Sequence, residues 1–170
     1  SRSSRTRRET REPEERAMQN QIGFLGLGKM GAGMAARLLE VGNALVVWNR
    51  TAEKTVPLVE LGADVADTPA AVASRAGIVV TMLRDDASAD EVFSGSQGLL
   101  TVPVAGKLFI EMSTLRPDMA RELAARCETA GAEFIDSPVS GTVGPARSGR
   151  LMALTGGSET SLERARPVLE

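Results

Sequence analysis

Histidine and tyrosine are missing from this chain altogether, cysteine occurs once, and lysine occurs three times, as Lys29, Lys54 and Lys107. These gaps remove whole classes of chemistry. Neither a Ser-His-Asp nor a Cys-His nucleophile system is possible without histidine, and the same gap excludes a zinc site of the usual Cys/His kind. No tyrosine is present to donate a proton, so any general acid is a lysine, an aspartate, a glutamate or a residue of another chain. The lone Cys127 has no partner for an intrachain disulfide, which fits a reducing, cytoplasmic compartment. No apolar run has the length of a membrane span, and no secretory signal pattern is present.

What is present is ordinary in amount: 42% hydrophobic and 25% charged residues, with a formal net charge of -2. That balance gives no general attraction to nucleic acid or anionic membrane, so the expectation is no nucleic-acid partner and no membrane partner. At 170 residues the size suits one substantial domain. Residues 1–17 alternate Arg and Glu with Ser and Thr and carry almost no apolar side chain. They are expected to form a disordered tail, with the domain running from 18 to 170. Glu9, Glu12, Glu14 and Glu15 dilute the reading of that tail as a basic nucleic-acid arm.

The organising stretch is Ile22-Gly23-Phe24-Leu25-Gly26-Leu27-Gly28-Lys29-Met30-Gly31. An apolar run ends in glycines and opens into a helical pattern carried by Met30, Met34 and Leu38. The spacing Gly26-x-Gly28-x-x-Gly31 suits a dinucleotide turn: one glycine turns the chain, one admits a pyrophosphate, one lets helix pack on strand. Leu27, Lys29 and Met30 complete that turn, and the helix N-terminus faces the anion. Ala44 to Trp48 is the next buried strand, closing a βαβ unit. Where an NAD site would carry an acid for the ribose, this chain has Asn49-Arg50-Thr51. A guanidinium pairs with a 2′-phosphate that a carboxylate would repel, so the expected cofactor is NADP (NADPH). The other reading of this turn is that Thr51 caps the next helix and Arg50 is solvated.

Strand and helix patterns go on alternating, which predicts an α/β fold of the doubly wound Rossmann type, a mainly parallel sheet with helices on both faces. A helical pattern over Ala52 to Leu61 is interrupted by Pro57; Thr68, Asp85 or Asp86, and Ser158 are candidate caps. Met82 and Leu83 leave a strand at its carboxyl end and are placed in the cofactor groove. Ser113 and Thr114 follow the strand Lys107 to Met112, and two readings stand side by side for them: nicotinamide contacts, or ordinary turn residues before Pro117. Cys127 shares a helix face with Leu123 and is read as a buried small hydrophobe. Ser137 to Ala146 reads as the most loop-like segment, where Ser140 and successive amides suit a carboxylate. Leu151 to Thr155 reads as a returning strand.

Three of these stretches resemble the β-hydroxyacid dehydrogenase family, which includes 3-hydroxyisobutyrate dehydrogenase and the glyoxylate/succinic semialdehyde reductases. They are Gly23 to Gly31 with Met34-Ala35, Glu111-Met112-Ser113-Thr114, and Asp136-Ser137-Pro138-Val139-Ser140-Gly141. The resemblance implies an NAD(P)-dependent oxidoreductase moving hydride to or from a small carboxylate-bearing substrate, a hydroxy acid or semialdehyde. It places Ser140, Gly141 and Thr142 on substrate and Ser113 and Thr114 near the nicotinamide. Thr142 departs slightly from the family's usual glycine there. The family's proton donor is a lysine expected beyond Glu170, ahead of a helical domain. No catalytic residue and no metal ligand is therefore assigned in this chain, which is expected to be the cofactor-binding part and inactive alone. A homo-oligomer is expected of the full-length protein. Imine reductases share the glycine turn and an Asn-Arg-Thr-like turn, and a non-catalytic cofactor-binding or assembly module is a further alternative.

Overall fold

The computed structural model describes residues 21–170; the tail expected over 1–17 lies outside the described residues. Six parallel strands form one sheet: β1 (Ile22–Leu25), β2 (Leu45–Trp48), β3 (Asp64–Val65), β4 (Ile78–Thr81), β5 (Leu108–Glu111) and β6 (Glu133–Asp136). Their spatial order is β3-β2-β1-β4-β5-β6, with Leu25 in register with both Trp48 and Thr81, and Thr81 with Glu111. The order reverses between β1 and β4, and the crevice at such a switch point is where doubly wound sheets take ligands.

Strand side chains alternate between two cores. Phe24, Val47, Val80 and Ile110 pack on one face with the helices α1 (Lys29–Glu40) and α7 (Glu159–Leu169). Leu25, Val46, Val79 and Phe109 pack on the other with α3 (Pro69–Arg75), α4 (Asp86–Ser94) and α5 (Pro117–Thr129). The second face holds Phe93 against Phe109 at 5.5 Å between ring centres. Burial on both faces explains why these strands read as continuous apolar runs.

The expected caps are made: the side chains of Thr68, Asp85 and Ser158 accept from the N–H groups of Ala71, Ser88 and Ser161. Asp86 instead pairs with Arg116. Cys127 lies buried on α5, where desolvation pushes its thiol up to about 12. Against its ordinary value of 9.0 that leaves about a thousandfold less thiolate. A disulfide reagent is expected to leave native Cys127 unmodified and to label it once urea unfolds the chain.

Two expectations need correction. The pattern over 52–61 is not one helix interrupted by Pro57. Ala52–Thr55 forms a 3₁₀ turn, and Pro57 sits in the first turn of α2 (Val56–Glu60), where its missing N–H costs nothing. Nor is Ser137 to Ala146 a plain loop. Val139–Ser140 forms β7, which pairs antiparallel with β8 (Met152–Ala153), and Val143–Ser148 forms α6. Helix α6 packs closely on α1, where a Cβ on Gly33 would stand 3.3 Å from that of Ala146.

Candidate functional site

The glycine turn spans the gap from β1 to α1. Gly26 has φ +94°, and a Cβ there would lie 2.1 Å from the carbonyl oxygen of Met82. A Cβ on Gly31 would lie 1.9 Å from the carbonyl oxygen of Gly26. Both positions are closed to side chains by backbone. Gly28 differs: it is exposed, and its Cβ would meet nothing within 4 Å. It is also the N-cap of α1, has no side chain to satisfy the first-turn N–H groups of Lys29, Met30 and Gly31, and no acidic residue stands in that turn. Open donors at the positive end of a twelve-residue helix form an anion cradle.

Asn49 braces this cradle from β2. Its Oδ1 accepts from the N–H of Leu27 at 2.8 Å, and its Nδ2 donates to the carbonyl of Thr51 at 2.9 Å. The carboxamide thereby links the turn after β1 to the turn after β2. Arg50 and Thr51 are exposed, and Thr51 makes no side-chain cap to the following turn. Trp48 is half-buried beside them, its indole N–H donating to the carbonyl of Asp67 at 3.2 Å.

On the other side of the switch point, Met82 and Leu83 run from β4 against the glycine turn, Leu83 Cδ2 standing 3.0 Å from the Cβ position of Gly26. Ser113 is buried, and its Oγ accepts from the N–H of Leu83 at 2.6 Å; Thr114 beside it is exposed. Ser140 at the end of β7, and Gly141 and Thr142 leading into α6, are exposed. The fold thus gathers Gly26 to Gly31, Asn49, Met82, Leu83 and Ser113 at the carboxyl ends of four adjacent strands, β2, β1, β4 and β5. Ser140 to Thr142 belong to the ribbon beyond β6, joined to the sheet through the hydrogen bond from the Ser137 N–H to the carbonyl of Glu111 (2.8 Å).

None of the three lysines stands at the carboxyl end of β4 or β5. Lys29 is exposed at the start of α1, Lys54 is exposed in the 3₁₀ turn, and Lys107 Nζ donates to the Ala76 carbonyl at the opposite end of the sheet. Among the described residues no cluster of histidine, cysteine or carboxylate side chains is arranged to hold a metal ion. No helix there is long and apolar enough to cross a membrane.

One functional candidate was not assigned from the sequence. Glu111 is fully buried at the end of β5; its two carboxyl oxygens accept from the Thr81 hydroxyl (2.6 Å) and the Ser113 N–H (2.7 Å). Desolvation raises its carboxyl to about 7, against the partial offset of those hydrogen bonds and with the nearby Asp136 adding to the rise. The signal was available: one acid closing the apolar run Leu108-Phe109-Ile110 is out of place in a strand buried on both faces.

A glycine turn without side chains at the helix N-terminus, set at the switch point of a six-stranded parallel sheet, defines a doubly wound dinucleotide-binding domain. The chain belongs to the family described as the NAD binding domain of 6-phosphogluconate dehydrogenase, whose model matches residues 21–170. Among its relatives, mitochondrial 3-hydroxyisobutyrate dehydrogenase from Mus musculus is 41% identical over 154 residues, covering 91% of this chain and 46% of that protein. The structure of Mycobacterium tuberculosis 3-hydroxyisobutyrate dehydrogenase with L-serine superposes with a TM-score of 0.82 at 35% identity, covering 89% of this chain and 51% of that one. A reductive aminase from Aspergillus terreus in complex with NADPH and ethyl-5-oxohexanoate gives 0.77 at 31% identity over 89% of this chain and 53% of its own. The chain spans about half the length of the curated relatives it matches.

Proposed function

We propose that this chain is the cofactor-binding part of an NADP-dependent oxidoreductase acting on a small carboxylate-bearing substrate, a hydroxy acid or semialdehyde. The observation that carries the binding role is Gly28: open space where a side chain would stand, on uncapped helical N–H groups. When bound, a nicotinamide dinucleotide supplies or accepts the hydride. The residues of this chain do the holding. The first turn of α1 takes the pyrophosphate, with Asn49 keeping the cradle in shape. Exposed Arg50 and Thr51 take the 2′-phosphate, and Met82, Leu83, Ser113 and Thr114 border the nicotinamide half. Ser140, Gly141 and Thr142 offer a hydroxyl and amides to a substrate carboxylate. The lack of a lysine at the carboxyl ends of β4 and β5 supports a proton donor outside these residues; we take the whole enzyme to be a homo-oligomer, and the lone Cys127 supports a reducing, cytoplasmic compartment.

The preference for NADP rests on the turn after β2, which has Asn49-Arg50-Thr51 and no carboxylate, and is supported by the NADPH in the related reductive aminase. The dehydrogenase relatives support a hydroxy-acid substrate. The test is titration with NADPH and NADH, followed by quenching of Trp48, the only tryptophan. NADPH is expected to bind more tightly. Arg50→Asp is expected to weaken NADPH by about 10- to 100-fold, the value of a charge-assisted phosphate contact, while leaving NADH within a few fold. Equal binding of both cofactors by the unaltered chain would remove the phosphate role of Arg50, and binding of neither would overturn the reading.

A further inference from the structure

Glu111 joins three strand ends that the chain brings together from distant positions. Its carboxylate accepts from Thr81 at the end of β4 and from the Ser113 backbone just after β5, while its own carbonyl accepts from the Ser137 N–H just after β6. Ser113 relays the constraint: with its N–H held by Glu111, its Oγ accepts from the Leu83 N–H, and Leu83 abuts the glycine turn at Gly26. The side chain is fully buried, so it is a positioning group rather than one that touches ligand.

An acid at this place is costly by burial alone, and the core next to it shows what packing would otherwise supply: Leu108, Phe109 and Ile110 precede it in the same strand. What the acid provides and an apolar residue does not is two fixed acceptor directions, one along the sheet to Thr81 and one forward to the loop after β5. Both bonds act on the nicotinamide side of the switch point. The adenosine side is held separately, by the Asn49 bonds to Leu27 and Thr51.

We propose that Glu111 is the positioning residue for the nicotinamide half of the dinucleotide, holding the segments Met82–Leu83 and Ser113–Thr114 in one arrangement through Thr81 and Ser113. The inference rests on the dinucleotide-binding reading above. It gives the two halves of the site separate supports, Asn49 for the adenosine half and Glu111 for the nicotinamide half.

Binding of NADPH is compared with binding of 2′,5′-ADP, which carries the adenosine half alone. The unaltered chain is expected to prefer NADPH. Glu111→Ala is expected to cut NADPH affinity by roughly tenfold or more while leaving 2′,5′-ADP within twofold, because the unpartnered Ser113 N–H and Thr81 hydroxyl loosen only the nicotinamide side. Glu111→Gln is expected to keep the preference, since its amide oxygen accepts from Ser113 and its amide nitrogen donates to Thr81 Oγ1. Thr81→Val, which removes a donor to Glu111 from a buried side chain not placed on ligand, is expected to lower the preference in the same direction and decides the matter if Glu111→Ala does not fold. Parallel weakening of both ligands would make Glu111 merely structural and overturn the proposal. So would an unchanged NADPH preference in Glu111→Ala or Thr81→Val, or equal affinity for both ligands in the unaltered chain. If the unaltered chain binds 2′,5′-ADP, the dinucleotide reading stands whichever way Glu111 falls; if it binds neither ligand, both readings fall together.

Discussion

Gly26→Ala is expected to lower the stability of the domain by about 3 kcal/mol or more, a drop of roughly 6 to 12 °C in thermal midpoint for a domain of this size. The cost has two sources. At φ +94° an alanine is strained wherever it has room, and here the new methyl would sit 2.1 Å from the Met82 carbonyl oxygen, which belongs to the backbone of the neighbouring strand end. Gly31→Ala meets the Gly26 carbonyl at 1.9 Å and is expected to behave alike. Gly28→Ala is the informative contrast. Its φ of -67° suits any residue and its Cβ meets nothing, so the stability loss is expected to stay within about 1 kcal/mol, the cost of a poorer N-cap. Its methyl would enter the pyrophosphate cradle, and dinucleotide affinity is expected to fall about 10- to 100-fold. Urea melts and Trp48 quenching on the three variants separate the roles. Parallel losses of stability in all three would mean that Gly28 is an ordinary turn glycine.

The second large effect lies in pH. Glu111 rises from an ordinary 4.5 to about 7 in the folded chain, chiefly by desolvation. A carboxyl raised by folding binds more protons in the native state than in the unfolded state between those two values. Stability therefore falls as pH rises from about 4.5 to about 7, and levels off above, where the group is ionised in both states. The difference amounts to about 3 kcal/mol. The groups facing this carboxyl are Thr81 from β4, Ser113 after β5, Asp136 from β6 and Cys127 from α5, the last two acidic groups themselves shifted upward. No cation stands among them to favour ionisation. Glu111→Gln removes the titration while keeping a donor and an acceptor, so its stability is expected to vary less with pH over this range and to exceed that of the unaltered chain at pH 8. Denaturant midpoints at pH 5 and pH 8 check both statements. A steeper rise of stability with pH in the unaltered chain than in the variant would mean that Glu111 is ionised and favourably solvated in the fold.

Much of the site was legible because it is local. The glycine turn, the turn after β2 and the caps at Thr68, Asp85 and Ser158 are each set by residues within a few positions of one another, and short-range backbone rules act on such spans. Cys127 was readable from its spacing to Leu123 on one helix face. The returning strand was read at Leu151 to Thr155, which holds β8, but its pairing with β7 was not, because Val139 meets Ala153 across the intervening α6, and glycine and proline content reports local freedom rather than distant pairing.

The amino-acid order by itself determined the alternation of strand and helix, the dinucleotide turn and the lack of histidine and tyrosine chemistry, since each depends on near neighbours or on composition alone. Only the tertiary structure decided that Asn49 braces Leu27 across 22 positions and that Glu111 joins Thr81 across 30. Those bonds exist because the crossovers lay β2 and β4 on either side of β1 and put β5 next to β4. A polar side chain's partner in a parallel sheet is set by strand order, which no local rule encodes.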